Sequence, residues 1–173
     1  MSTPYEAPAR PPATVRVGRE SDVETVVAMV HELAEYERAA DQAHITPEQL
    51  HRVLFAGEAP GGGPAAYLLV AEEGGETVGF ALWFLSFSTW EGVHGIYLED
   101  LYVRPAHRGS GAGRALLTAL ARTARDRGYA RVEWSVLDWN ESAIGFYRRI
   151  GATPMEGWTT YRLTGSALAS LAR

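Results

Sequence analysis

The sequence predicts an α/β fold: one mixed, mostly antiparallel sheet with helices on both faces. Three observations carry this. Apolar residues at helical spacing alternate along the chain with short extended runs rich in Val, Ile, Leu, Phe and Tyr. Two of those runs flank Glu73-Gly74-Gly75-Glu76, a turn that folds them into a hairpin. The pieces follow the order β-α-α-β-β-β-α-β-α-β, with no internal repeat, which wraps helices around a sheet.

The elements follow in chain order. Residues 1–14 are rich in Pro and Ala, lack a periodic apolar pattern and are expected to form a disordered tail. Residues 15–173 read as a single domain. Val15-Arg16-Val17 is a short first strand. Ser21-Asp22-Val23-Glu24 has the form of a capping box, with Ser at the cap and Glu three residues later. Val23, Val26, Val27, Val30, Leu33 and Ala34 then recur at helical spacing, predicting a helix to about Tyr36. Thr46-Pro47-Glu48-Gln49 starts a second helix: Thr caps, Pro takes the first helical position and Gln follows. Residues 57–64 hold four glycines and two prolines and form a loop. Residues 66–71 and 77–86 are strands, and 96–103 is a third at the centre of the sheet. Leu116, Leu117, Leu120, Ala121 and Ala124 share one face of a helix that begins near Arg114 and that Gly128 ends. Residues 131–137 read as a strand. Asn140 caps a short helix over 141–149, closed by Gly151. Residues 158–163 read as a last strand and 166–172 as a terminal helix or turn.

Composition excludes several kinds of function. A net charge of -5 argues against nucleic acid or an anionic membrane as partner and suits a cationic or neutral one. There is no cysteine, so thiolate nucleophiles, disulfides and cysteine metal sites are out. No apolar run approaches the roughly 18 residues of a membrane span, and no signal-peptide pattern opens the chain, so the expected location is cytoplasmic. His31, His44, His51, His94 and His107 show no metal-ligand spacing, and no metal is expected.

The densest chemical signal is Arg108-Gly109-Ser110-Gly111-Ala112-Gly113. An extended apolar run, 96–103, comes before it and a helix-forming run after it. A strand that ends in a glycine-rich turn and opens a helix cradles anions. Glycine lets backbone N–H groups approach a phosphate, and the helix start adds partial positive charge. The segment has no Gly-Lys-Ser/Thr and does not fit Gly-x-Gly-x-x-Gly, so it is neither familiar nucleotide signature. Its pattern is Arg-x-x-Gly-x-Gly, formed by Arg108, Gly111 and Gly113.

That pattern resembles the pyrophosphate loop of the GNAT acyl-CoA N-acyltransferases, and the element order over about 15–173 is similar to theirs. Five further segments resemble the diamine acetyltransferase branch, which includes the spermidine/spermine and thialysine enzymes. They are Glu32-Leu33-Ala34-Glu35-Tyr36-Glu37, Tyr97-Leu98-Glu99-Asp100-Leu101-Tyr102-Val103, Asp138-Trp139-Asn140-Glu141, Phe146-Tyr147-Arg148-Arg149 and Glu156-Gly157-Trp158. The resemblance implies the GNAT fold, its sheet splayed after a bulge in the central strand that leads into the pyrophosphate loop. It also implies acetyl-CoA as co-substrate, a small primary amine as acceptor, direct attack in a ternary complex, and a homodimer.

Site residues follow from the same resemblance. Backbone amides of Arg108, Gly109, Ser110, Gly111, Ala112 and Gly113, with the guanidiniums of Arg108 and Arg114, would hold the pyrophosphate. The main chain of Leu101, Tyr102 and Val103 would pair with pantetheine as an added strand does. Asn140 would contact pantetheine too, while on the residues alone it is equally a helix cap. Tyr147 would protonate the leaving thiolate; read alone, it is a core aromatic. Glu99 would take the amine's proton through a water, or else form a salt bridge at the sheet edge. Glu99 and Asp100, neighbours on a strand, are expected on opposite faces. Tyr36, Glu37, Glu99, Asp100, Glu133, Trp134, Ser135 and Glu156 would line the acceptor site, where several carboxylates suit a cationic amine. Trp83 and Trp90 either line the same cleft or are buried. Two other readings stay open: the same scaffold with an antibiotic amine or protein lysine as acceptor, and an acyl-CoA-binding protein without turnover.

Overall fold

The computed structural model describes residues 12–173, so most of the expected tail lies outside the described residues; Thr14 already belongs to the first strand. The elements are β1 (Thr14–Val17), α1 (Val23–Tyr36), α2 (Pro47–Phe55), β2 (Tyr67–Glu73), β3 (Glu76–Ser88), β4 (Val93–Val103), α3 (Ala112–Asp126), β5 (Val132–Glu133), α4 (Glu141–Arg149) and α5 (Gly165–Leu171). They fall into two compact units, the first ending at Ser135 and the second spanning Val136–Arg173.

The first unit is built on a five-stranded sheet in sequence order, β1-β2-β3-β4-β5. The pairings from β1 to β4 are antiparallel and β4–β5 is parallel. The expected mixed, mostly antiparallel sheet is what forms. Gly74 and Gly75 supply the two positive φ angles, 61° and 86°, that the β2–β3 hairpin turn requires. Strand alternation sorts the core. Leu68, Val70, Phe80 and Tyr102 face α1 and α2, where Val26, Met29 and Leu50 are fully buried. α3 packs against β1 to β4 through Leu116, Leu117, Leu120 and Ala124. Gly79 is glycine for space: a Cβ there would sit 2.6 Å from the Tyr102 carbonyl oxygen of the neighbouring strand.

β4 is irregular where the site residues lie. Leu82 of β3 opposes Asp100 and Trp83 opposes Leu98, so Glu99 has no partner and forms a bulge. On its other side β4 pairs with β5 only at Ile96 and Tyr97. Beyond Tyr97 the ladder on that side stops, and no strand among the described residues pairs with the end of β4 there. This is the bulge and splay that the resemblance implied.

Three local expectations are corrected. Ser21 does not cap α1. Glu20–Asp22 forms a single 3-10 turn, and the Asp22 carboxylate accepts from the Arg19 backbone N–H at 2.7 Å. Asp22 takes the N-cap position of α1, but its side chain makes no cap bond to the helix, because the carboxylate is drawn back to Arg19 and Arg16. The strand expected over 131–137 is only Val132–Glu133, because its ladder to β4 ends there. No strand forms over 158–163; Trp158 is 74% and Tyr161 92% exposed. Alternating β-branched and aromatic residues favour a strand, but a strand exists only with a neighbour to bond. The second unit contains no other strand among the described residues. Its best-defined element is α4. The Asn140 side chain caps it by accepting from the Ala143 N–H at 3.2 Å. Gly151, with φ 91°, turns the chain out of the helix as the Ala152 N–H reaches the Tyr147 carbonyl at 3.1 Å.

Candidate active site

The glycine loop has the geometry its composition implied. β4 ends at Val103, a short turn over Pro105–His107 follows, and α3 starts at Ala112. Gly109 and Gly111 take φ of 81° and 97°, a region closed to most side chains. Gly111 is the N-cap of α3, and no side chain caps the helix there. Among the described residues the amides of Gly109, Ser110 and Gly111 make no backbone hydrogen bond, and the amides of the first helical turn have no intrahelical acceptor. The Ser110 hydroxyl makes one long contact, 3.4 Å, from the Ala112 N–H. Amides without backbone partners and a helix start therefore converge on one turn, an arrangement suited to an anion.

Just upstream lie the carboxylates. Asp100 is half-buried, on the face shared with Leu82 and Tyr102. Burial, then the charges of Glu99 and Glu37, push its carboxyl up to about 6. Burial raises Glu37 as well. Neither these two nor Glu99 has an ion pair or hydrogen bond among the described residues. The bulge alters the expected geometry, since the extra residue breaks the simple alternation that would set Glu99 and Asp100 on opposite faces. Glu133 behaves otherwise. Arg131 donates to it at 2.7 Å and to Glu91 at 3.0 Å, so its charge is neutralised locally. Ser135 shares a hydrogen bond of 3.0 Å with the Tyr97 hydroxyl, and Trp134 is half-buried beside it in sequence. Trp83 is buried and stacked on Tyr67 with centroids 4.5 Å apart, whereas Trp90 is almost fully exposed.

The last turns of α1 grip the segment between β4 and the loop. Glu32 accepts from the Tyr102 hydroxyl at 3.1 Å and from Arg104 Nη2 at 3.0 Å. One turn later the Tyr36 ring lies under Arg108, whose guanidinium carbon is 4.7 Å from the ring centroid. Nothing in the sequence signalled that Glu32 and Arg104, 72 residues apart, would pair. The same holds for His107, read from sequence as a surface or loop residue. Its Nδ1 is 2.8 Å from Oε2 of Glu73, a carboxylate whose side chain is 3% exposed. The pair anchors the turn ahead of the loop to the β2–β3 hairpin.

The second unit holds the remaining expected residues. Tyr147 is half-buried on α4, its ring 5.5 Å from that of Phe146. Asn140 is the cap of that helix, and Glu156 is exposed. Among the described residues no group of His, Asp and Glu could hold a metal ion, and no helix is long and apolar enough to cross a membrane.

A splayed sheet whose fourth strand, and not its central one as the sequence led one to expect, runs into a glycine turn and a helix start is the scaffold of an acyltransferase. The profile of the acetyltransferase (GNAT) family matches residues 26–152, and the chain belongs to that family. It is 38% identical over 169 residues to a thialysine N-epsilon-acetyltransferase of Sus scrofa, covering 91% of this chain and 96% of that one. An L-ornithine N5-acetyltransferase, NATA1, of Arabidopsis thaliana is 43% identical over 93 residues, 54% of this chain and 41% of that one. Among solved structures, an integron cassette protein from the mobile metagenome of V. cholerae superposes with a TM-score of 0.75 at 25% identity, covering 93% of this chain and 98% of that one. The protein is thus an N-acetyltransferase of the GNAT type.

Proposed function

We propose that the protein transfers the acetyl group of acetyl-CoA to a small cationic primary amine, a diamine, polyamine or thialysine-like amino acid. One observation carries this reading: β4 loses its neighbour just before a left-handed glycine turn whose amides are open. The open edge at Leu101, Tyr102 and Val103 suits a pantetheine arm, and the amides of Gly109 to Gly113 with Arg108 and Arg114 suit a pyrophosphate. Acetyl-CoA supplies the activated acyl group. The carboxylates of Glu37, Glu99 and Asp100 bind the ammonium, and Glu99 takes its proton through a water, since only the neutral amine attacks. The C–N bond forms as the C–S bond breaks, and Tyr147 donates a proton to the departing thiolate. Asn140 contributes a pantetheine contact, with Tyr36, Trp134, Ser135, Glu133 and Glu156 around the acceptor. The three carboxylates without partners support a cationic acceptor, because a cluster of like charges is costly until a cation joins it.

We further assign the active form to a cytoplasmic homodimer. Support comes from the exposed apolar side chains of Met155, Trp158, Tyr161, Leu168 and Leu171. Light scattering on the purified protein checks the dimer. The main test is calorimetric titration with CoA, followed by a screen of amines read out as thiol release. Binding of CoA and turnover with diamines or thialysine are expected. Tyr147→Phe should keep CoA affinity and lower turnover about tenfold or more. Absence of CoA binding would overturn the reading.

A further inference from the structure

Arg108 is held in an unusual way for a phosphate ligand. Its guanidinium lies over the Tyr36 ring at 4.7 Å and within 5.8 Å of the Tyr102 ring centroid. Its Nε donates to the Val103 carbonyl at 3.1 Å. Among the described residues its terminal amino groups have no hydrogen bond and no ion pair. Stacking occupies the face of a guanidinium and leaves its in-plane donors open, and those donors match a phosphate edge. Tyr36 is itself fixed by its place on α1. Glu32, one turn earlier on the same helix, is locked to Arg104 and Tyr102. Two residues one turn apart on α1 thus hold two arginines four residues apart on the way into the loop. Glu37, next to Tyr36, belongs to the carboxylate cluster around Asp100.

Building on the donor reading above, we propose that Tyr36 is a positioning residue for the acyl donor: its ring holds Arg108 with its free donors turned to the pyrophosphate. The acceptor end of α1 thereby sets affinity for CoA. A residue that the resemblance gives to the amine serves the donor through Arg108. An arginine already stacked and bonded at Nε loses less side-chain entropy when a phosphate arrives.

The test is a double-mutant cycle read by calorimetric titration with CoA. Tyr36→Leu should weaken CoA binding by about three- to fivefold, the scale of an exposed cation–π contact. Tyr36→Phe keeps the ring and should stay within about twofold of wild type. In the Arg108→Ala background Tyr36→Leu should cost nothing further, because the ring then has nothing to hold. Tighter CoA binding by Tyr36→Leu would mean that the ring parks Arg108 away from the donor, and the proposal fails. It fails equally if the two losses add, or if Tyr36→Phe loses as much as Tyr36→Leu. No heat from wild-type protein with CoA is a different result: it removes the donor reading and this inference with it.

Discussion

Asp22 is buried and Asp100 half-buried in the first unit, and their neighbours treat them in opposite ways. Asp22 sits in the turn before α1. Arg16 grips both of its oxygens at 2.7 and 2.8 Å, and the Arg19 N–H adds a third bond. The hydrogen bonds from Arg16 hold its carboxyl below the usual aspartate range, against the opposing effect of burial. Asp100 follows the bulge in β4 and has no cation among the described residues. Burial and two like charges raise it to about 6. The first arrangement is complete within the chain and serves the fold. The second has no such partner among the described residues, which is the arrangement that the proposed cationic acceptor would complete. Perturbation alone does not separate the two carboxylates; its sign and the partners around each group do.

The signs give opposite pH dependences. Asp22, depressed in the folded state, contributes stability above its ordinary range that is lost as pH falls through its folded value. Asp100 is raised in the folded state. The fold binds more protons than the unfolded chain between the ordinary 3.8 and about 6, so stability falls as pH rises through that window. The whole effect is at most about 3 kcal/mol at neutral pH.

The contrast breaks most visibly at the paired site. Arg16→Ala would leave the Asp22 charge buried without its cation and should cost about 3 kcal/mol, measured by urea unfolding at neutral pH. A loss under about 1 kcal/mol would mean that Asp22 is not structural in the sense argued. Next, Asp100→Asn should stabilise the protein by about 1–2 kcal/mol at neutral pH, with the gain vanishing near pH 4. If the variant is instead destabilised at neutral pH, Asp100 has an internal partner. A third effect concerns ligand: affinity for a diamine should rise about tenfold between about pH 5 and pH 7, as Asp100 ionises to meet the ammonium. A flat profile by calorimetry would separate Asp100 from the amine. The smallest effect is that of Glu99→Gln. Removing a like charge should move the midpoint of that profile to lower pH without returning it to the ordinary aspartate range, because burial is the larger cause.

Much of the fold was legible in the sequence because its signals are local. Helical spacing in α1 and α3, Thr46 and Pro47 at the start of α2, and the Gly74-Gly75 turn each act over a few residues. The loop after β4 was legible for the same reason: Gly109 and Gly111 occupy backbone angles that only glycine takes easily. Where a signal needed a distant neighbour, spacing failed. Residues 158–163 have strand chemistry but no strand beside them in their unit. Ser21 had the form of a cap, yet Asp22 stands at the N-cap position and its carboxylate turns back to Arg16 of β1 and the Arg19 N–H.

The same division runs through the site. By itself the sequence determined where the glycine turn lies and which segments carry carboxylates, since both are written in contiguous residues. Only the tertiary structure decided which carboxylates are satisfied. Glu32 meets Arg104 across 72 residues and Glu73 meets His107 across 34, while Glu133 is neutralised by Arg131 and Asp100 meets no cation among the described residues. A charge's role depends on what lies within a few ångströms of it, and chain folding, not residue order, sets that distance.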